Sequence, residues 1–277
     1  MTRSFRSPFL PVLVAAVLSA VSAFAQQKPV TIDATLKAAA VPAAGSPQCS
    51  APKEFSRLER PLTRTGRLLA AGLPVRIVAI GSSSTAGAGA SSPDASYPSQ
   101  LALVLSDRFP DHDITVLNRG VNGEEARDML ARFEATVIAE RPDLVLWQVG
   151  TNTVLRDNPI EPNASLIDKG ITQLKAIGAD VILIDPQFAP RVIAKSTLSR
   201  MLDVLAAKSK QFNVNLFQRF AVMRDWRERQ GIPFETFVSS DQLHMNDWSY
   251  ACVAKVLGAA IAEAALRPVV SASATAR

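Results

Sequence analysis

The stretch Ile77-Val78-Ala79-Ile80-Gly81-Ser82-Ser83-Ser84-Thr85-Ala86-Gly87 decides how this chain is read. A short apolar run passes into a turn of Gly, Ser and Thr, the pattern of a buried strand with a hydroxyl presented at its tip. In an open α/β sheet the chemistry collects at this end of the strands. Gly-Ser turns are also ordinary loop chemistry, so the weight falls on what the rest of the chain supplies.

Outward from this stretch the same pattern recurs. Apolar runs short enough for strands lie at 75–81, 114–117, 144–149, 181–184 and 214–217. Helical periodicity predicts helices over 62–71, 97–109, 127–140, 166–177, 197–212, 220–230 and 247–266. In the second of these, Leu101, Val104, Leu105 and Phe109 share one face. In the last, Val253, Val256, Leu257, Ile261 and Ala265 do so, with Asn246 or Asp247 in a capping position. Strands that are apolar throughout are buried on both faces, so the alternation predicts a parallel sheet between two helical layers, with all strand C-terminal ends on one rim.

The two ends read differently. Arg3 and Arg6 precede an uncharged apolar run from Phe9 to Ala20, and Ala23-Phe24-Ala25 follows. This is the pattern of a secretory leader cut near Ala25, and the run is short for a membrane span. The expected organisation is a leader over 1–25, an arm with a short helix over 26–72, one α/β domain over 73–267 and a frayed tail over 268–277. The arm is expected to be loosely held through Pro52, and export would place the protein in the periplasm or outside the cell. There, the two cysteines in the chain, Cys49 and Cys252, could form one bridge from the arm to the last helix or remain as thiols. The formal net charge is +5, of which Arg3 and Arg6 supply two, a mild excess that does not suggest a nucleic-acid partner. Two distant Cys and two His lack zinc-ligand spacing.

Few side chains suit acid–base work at neutral pH. His112 lies at the N-terminal end of its strand, on the wrong rim, and is read as solvated. His244 sits in Asp241-Gln242-Leu243-His244, where a tight turn lets the Asp241 carboxylate reach one imidazole nitrogen and leaves the other facing outward. A serine nucleophile also needs donors for an oxyanion. Asn118-Arg119-Gly120-Val121-Asn122-Gly123 follows the second strand and Gly150-Thr151-Asn152-Thr153 the third, offering a backbone N–H and a side-chain amide on the same rim.

Taken jointly, these segments resemble the SGNH or GDSL hydrolase family from about Val75 to Ala265. Gly81 to Thr85 looks like its first block, Asn118 to Gly123 its second, Gly150 to Thr153 its third and Asp241 to His244 its fifth. The resemblance implies a flavodoxin-like three-layer sandwich with a five-stranded parallel sheet. It also implies an esterase with Ser83, His244 and Asp241 as triad and the Ser83 and Gly123 amides and Asn152 as oxyanion hole, working without cofactor or metal. Two family acids are absent: Ser82 and Thr153 occupy their places, which implies altered loop hydrogen bonding with activity retained. The expected substrate is a small O-acyl ester on a carbohydrate or envelope glycan, with 154–158 and 187–191 as lining segments. The alternatives are an arylesterase or lysophospholipase activity, acyl transfer, and glycan binding without catalysis. A nucleotide site is disfavoured, because Ala88 follows Gly87 where a phosphate loop needs Lys, and Ser92 stands where a dinucleotide motif needs its third Gly.

Overall fold

The computed structural model describes residues 47–268. Five parallel strands, β1 (Val75–Gly81), β2 (Ile114–Gly120), β3 (Leu144–Gln148), β4 (Asp180–Ile184) and β5 (Asn215–Phe217), form one sheet in the order β2-β1-β3-β4-β5. This is the flavodoxin-like order, and its direction reverses at β1 and β3, the crevice where such sheets place their ligands. The register pairs Gly81 with Gly120 and Ile80 with Trp147, so the C-terminal ends of β1, β2 and β3 finish level with one another.

The apolar runs are strands because both faces are covered. All of β3 is buried, and in β1 only Arg76 is exposed. Reversal of the strand order sends the crossovers to opposite faces. On one face the helices Tyr97–Arg108 and Asp247–Leu266 pack together, with Gly258 admitting Val104 and Leu101. On the other, Ile160–Ala176 packs against Ala126–Ala131 and Leu198–Phe212, and Gly170 admits the Trp147 ring.

Several expectations are corrected. The helix expected over 127–140 is three short pieces, Ala126–Ala131, Phe133–Thr136 and the 3-10 turn Ile138–Glu140, because Arg132 and Val137 leave helical geometry at φ −116° and −124°. The helix expected over 166–177 begins at Ile160, six residues before the expected start, with Pro159 preceding it and Pro162 tolerated in its first turn. His112 is not solvated. Its Nε2 donates to Leu69 O at 2.9 Å, and its ring meets Phe109 edge-on at 5.7 Å between centroids.

The arm expected to be loose is docked from Pro47 onward. Trp226 Nε1 donates to Ser50 O at 2.9 Å, Trp248 Nε1 donates to Pro47 O at 3.2 Å, and a helix forms at Lys53–Ser56. A disulfide joins Cys49 to Cys252, with 5.4 Å between Cα atoms, which settles the open choice between bridge and thiols. The expected leader, residues 26–46 of the arm, and residues 269–277 of the tail lie outside the described residues.

Candidate active site

Ser83 is the first residue of a single helical turn, Ser83–Ala86, that begins where β1 ends. Its N–H, at the start of a helix, is one of the groups an α-helix leaves without an internal acceptor. Its hydroxyl lies 2.8 Å from His244 Nε2, and His244 Nδ1 lies 2.5 Å from Asp241 Oδ2. An ionised carboxylate only accepts, so Nδ1 carries the ring proton and Nε2 is left to accept from Ser83. The Asp-x-x-His turn achieves this by wrapping its backbone around the acid. Asp241 Oδ1 accepts from Ser239 Oγ at 2.6 Å and from the Leu243 and His244 N–H groups at 2.9 Å each. Burial pushes the Asp241 carboxyl up, but those bonds and the His244 ring outweigh it and hold the group well below the usual aspartate range.

A second loop fixes the histidine from behind. Gly89 has φ +87°, and a Cβ there would lie 2.4 Å from Met245 O and 2.9 Å from His244 Cβ. Only a residue without a side chain lets the loop after the Ser83 turn close on the histidine. Tyr250 donates to Ala88 O at 2.7 Å, and Asp247 accepts from the Ser91 N–H at 2.7 Å and the Ser91 hydroxyl at 2.6 Å, so this loop is tied to the last helix.

The two amide-bearing segments meet each other at Glu124. Gly123 has φ +80°, a conformation that favours glycine, and its carbonyl accepts from Arg156 Nη2 at 2.7 Å. Asn152 uses one N–H of its amide on Glu124 O at 2.8 Å, which leaves the second for another acceptor. Glu124 is itself clamped: Arg132 Nη2 meets its carboxylate at 2.6 Å and also donates to Arg119 O at 2.8 Å. Arg132 stands at the first break in the helix expected over 127–140.

Beneath the serine turn runs a buried polar network that the sequence does not announce. Gln148, at the end of β3, accepts at Oε1 from the Ser82 N–H, the Ser82 hydroxyl and Thr85 Oγ1. Its amide nitrogen donates to Thr151 at 3.4 Å, and Thr151 donates to Gln187 at 3.2 Å. Gln187 also accepts from Arg219 Nη2 at 3.1 Å and donates to Leu243 O at 3.3 Å, one residue before His244. Arg219 is fully buried and donates to Ser84 Oγ and Asp185 O, both at 3.0 Å. The network thus links the turn carrying Ser83 to the loop carrying His244.

Of the residues singled out in the sequence, Ser83 and Asp241 each contact His244, on opposite ring nitrogens, and Gly123 and Asn152 are joined to each other through Glu124. The lining expected of 187–191 is corrected at its start: Gln187, Phe188 and Ala189 are buried, and of this segment only Arg191 is well exposed. In 154–158, Val154 is buried, while Arg156 and Asp157 are exposed. Glu124, Glu125, Gln148, Arg132, Arg156 and Arg219 were not legible. Gln148 alone carried a signal, a polar residue closing an otherwise apolar strand.

The model of the Non-GDSL lipase-like family matches residues 48–267. Among curated proteins the chain is 33% identical over 97 residues to an arylesterase of Vibrio mimicus, covering 34% of this chain and 46% of that one. It is 38% identical over 60 residues to an acetylxylan esterase of Geobacillus stearothermophilus (22% and 27% covered) and 31% over 121 residues to the esterase TesA of Pseudomonas aeruginosa (41% and 59% covered). The chain thus spans less than two thirds of the length of each of these relatives. Similar solved structures include a two-domain esterase active on acetylated mannans, with a TM-score of 0.69 at 20% identity, covering 81% of this chain and 59% of that one. They also include TesA, with a TM-score of 0.59 at 21% identity, covering 68% and 99%. At these identities the structural likeness establishes the fold.

Proposed function

The chain belongs to the Non-GDSL lipase-like family, and on that premise we propose that it is an exported serine hydrolase of small O-acyl esters, with Ser83 as nucleophile. The observation that carries the reading is the 2.8 Å contact of Ser83 Oγ with His244 Nε2, backed by Asp241 on the other ring nitrogen. As Oγ attacks the ester carbonyl, its proton passes to Nε2 and Asp241 stabilises the resulting imidazolium. The carbonyl oxygen becomes an oxyanion that accepts from the Ser83 and Gly123 N–H groups and the Asn152 amide, and loss of one such donor costs on the order of 100- to 1,000-fold in turnover. Collapse of the intermediate expels the alcohol, which takes the proton from His244. Water then repeats the attack on the acyl-serine, freeing the acid.

The substrate is a short acyl group, acetyl above all, carried by a carbohydrate. In support, one of the relatives described above is an acetylxylan esterase, and one of the similar solved structures is an esterase active on acetylated mannans. Among the described residues, the well-exposed large apolar side chains are Leu73, Val121, Ile193 and Leu266. Of these, only Val121, just after β2, and Ile193, at the end of the short helix Pro190–Ile193 after β4, follow strand C-terminal ends, too little apolar surface for a long acyl chain. Export is supported by the leader-like residues 3–25 and by the Cys49–Cys252 bridge, which persists in an oxidising compartment.

The test is an ester panel of acetylated xylo- and manno-oligosaccharides, an aryl acetate and a lysophospholipid, each assayed with wild type and S83A. Cleavage of the acetyl esters by wild type alone is expected. Preference for the lysophospholipid would overturn the substrate assignment, and undiminished turnover by S83A would overturn the mechanism.

A further inference from the structure

The acid that the family pattern places after the third-block asparagine is missing at Thr153, and a carboxylate from a different loop meets that position. Thr153 Oγ1 donates to Glu125 Oε2 at 3.0 Å. Glu125 follows β2 by five residues in sequence, next to Glu124, whose carbonyl holds the Asn152 amide. The dipeptide Glu124-Glu125 thus grips the dipeptide Asn152-Thr153, backbone to side chain at one position and carboxylate to hydroxyl at the next.

The other carboxylate oxygen extends the grip. Glu125 Oε1 accepts from Arg156 Nη1 at 2.6 Å and from Asn158 Nδ2 at 2.8 Å. Arg156 then donates through Nη2 to the Gly123 carbonyl at 2.7 Å. The peptide carbonyl of Gly123 and the side chain of Asn152 are therefore both tied, by one or two hydrogen bonds, to the same short segment. The Glu125 N–H donates to Asp128 at 2.9 Å, which fixes the segment at the start of the next helix. The Glu125 side chain is 14% exposed, and Arg156 is 48% exposed. An ion pair with so exposed an arginine contributes little by itself. The geometric value lies in the carboxylate as a shared acceptor for three donors from the loop and helix after β3.

We propose that Glu125 is the positioning residue of the oxyanion hole, supplying from the β2 loop the carboxylate absent at Thr153 and thereby setting the separation between the Gly123 N–H and the Asn152 amide. This rests on the reading of Ser83, Gly123 and Asn152 given above. Burial pushes the Glu125 carboxyl up, but the bonds from Arg156, Asn158 and Thr153 outweigh it and leave it below the usual glutamate range, so it is ionised wherever the enzyme would be assayed. Donors that point at an oxyanion act only if they are already in place, and a displacement of about 1 Å costs on the order of 100-fold.

The experiment compares wild type, E125A, E125Q, T153V, E125A/T153D and S83A on an aryl acetate, with kcat, KM and the folded fraction measured for each. E125A is expected to lose about 10- to 100-fold in kcat with KM within about twofold, because the effect falls on the charge developed in the transition state. E125Q keeps an acceptor for part of the set and loses less, about two- to fivefold. T153V cuts the hydroxyl link while leaving the carboxylate, and lowers kcat at constant KM. The double variant E125A/T153D, which returns the acid to the third block, recovers part of the E125A loss, a rescue that a merely structural role would not produce. If E125A does not fold, E125Q and T153V carry the comparison. A kcat per folded molecule equal to wild type in E125A, or in T153V should E125A not fold, overturns this inference while S83A is inactive. Turnover that survives in S83A overturns the site reading and this inference together.

Discussion

Gln148 Oε1 takes both the Ser82 N–H, at 2.9 Å, and the Ser82 hydroxyl, at 3.0 Å, directly behind the serine that faces His244. An acid at position 82 would bring a carboxylate against this amide oxygen in a site that is 1% exposed. Ser82 and Gln148 instead form a neutral pair between the ends of β1 and β3. S82D is therefore expected to destabilise the fold by about 1–3 kcal/mol, the cost of a buried group without its partner, and not to raise turnover. Thermal melts and aryl acetate kinetics check both parts. A stable, faster S82D would show that the Ser82–Gln148 pair is an impairment.

The approach of Gly89 to His244 gives a prediction of a different kind. A methyl group at 89 must displace either the Met245 carbonyl or the histidine, and the left-handed φ disfavours alanine in any case. G89A is expected to cost on the order of 100-fold in kcat through displacement of His244, with the overall fold retained. Circular dichroism and kcat at equal folded fraction measure this. Turnover near wild type would mean that the loop relaxes without moving the imidazole.

Asp185 predicts a pH dependence of stability. Burial drives its carboxyl up to about 7, against the opposing pull of the Phe220 N–H and Arg219. A carboxyl whose folded pKa lies above its unfolded value stabilises most when protonated in the folded state. Its contribution is complete below about pH 4, where the unfolded carboxyl is also protonated, and is lost as the pH rises to about 7. D185N abolishes this titration. The melting temperature of D185N relative to wild type should therefore rise between pH 4 and 7 and level off above. A difference that is flat across this range would contradict the assignment.

How far the sequence carried depended on whether the signal was local. The central strands of the sheet were legible because a strand buried on both faces is apolar, as Leu144–Gln148 shows until its last residue. Ser83, Asp241, His244, Gly123 and Asn152 could be singled out as a candidate site because each sits in a short block whose internal spacing sets its own geometry. Arg132 was not legible, since its guanidinium serves Glu124 and the Arg119 carbonyl, partners from the preceding loop and strand that helical periodicity does not report. His112 misled for a related reason: its partner, Leu69 O, is 43 residues away in sequence. Arg219 and Glu125 were invisible for the same cause. A buried or half-buried charge is tolerated only when tertiary partners satisfy it, and those partners come from other loops.

The central claim is that Ser83 Oγ is the nucleophile, and the measurement closest to it is covalent trapping. The protein is treated with an aryl fluorophosphonate or rapidly quenched during turnover of an aryl acetate, then digested and sequenced by mass spectrometry. The account predicts a single adduct on Ser83, absent from S83A and much slowed in H244A. An adduct on Ser82, Ser84 or another residue, or undiminished labelling of S83A, would contradict it.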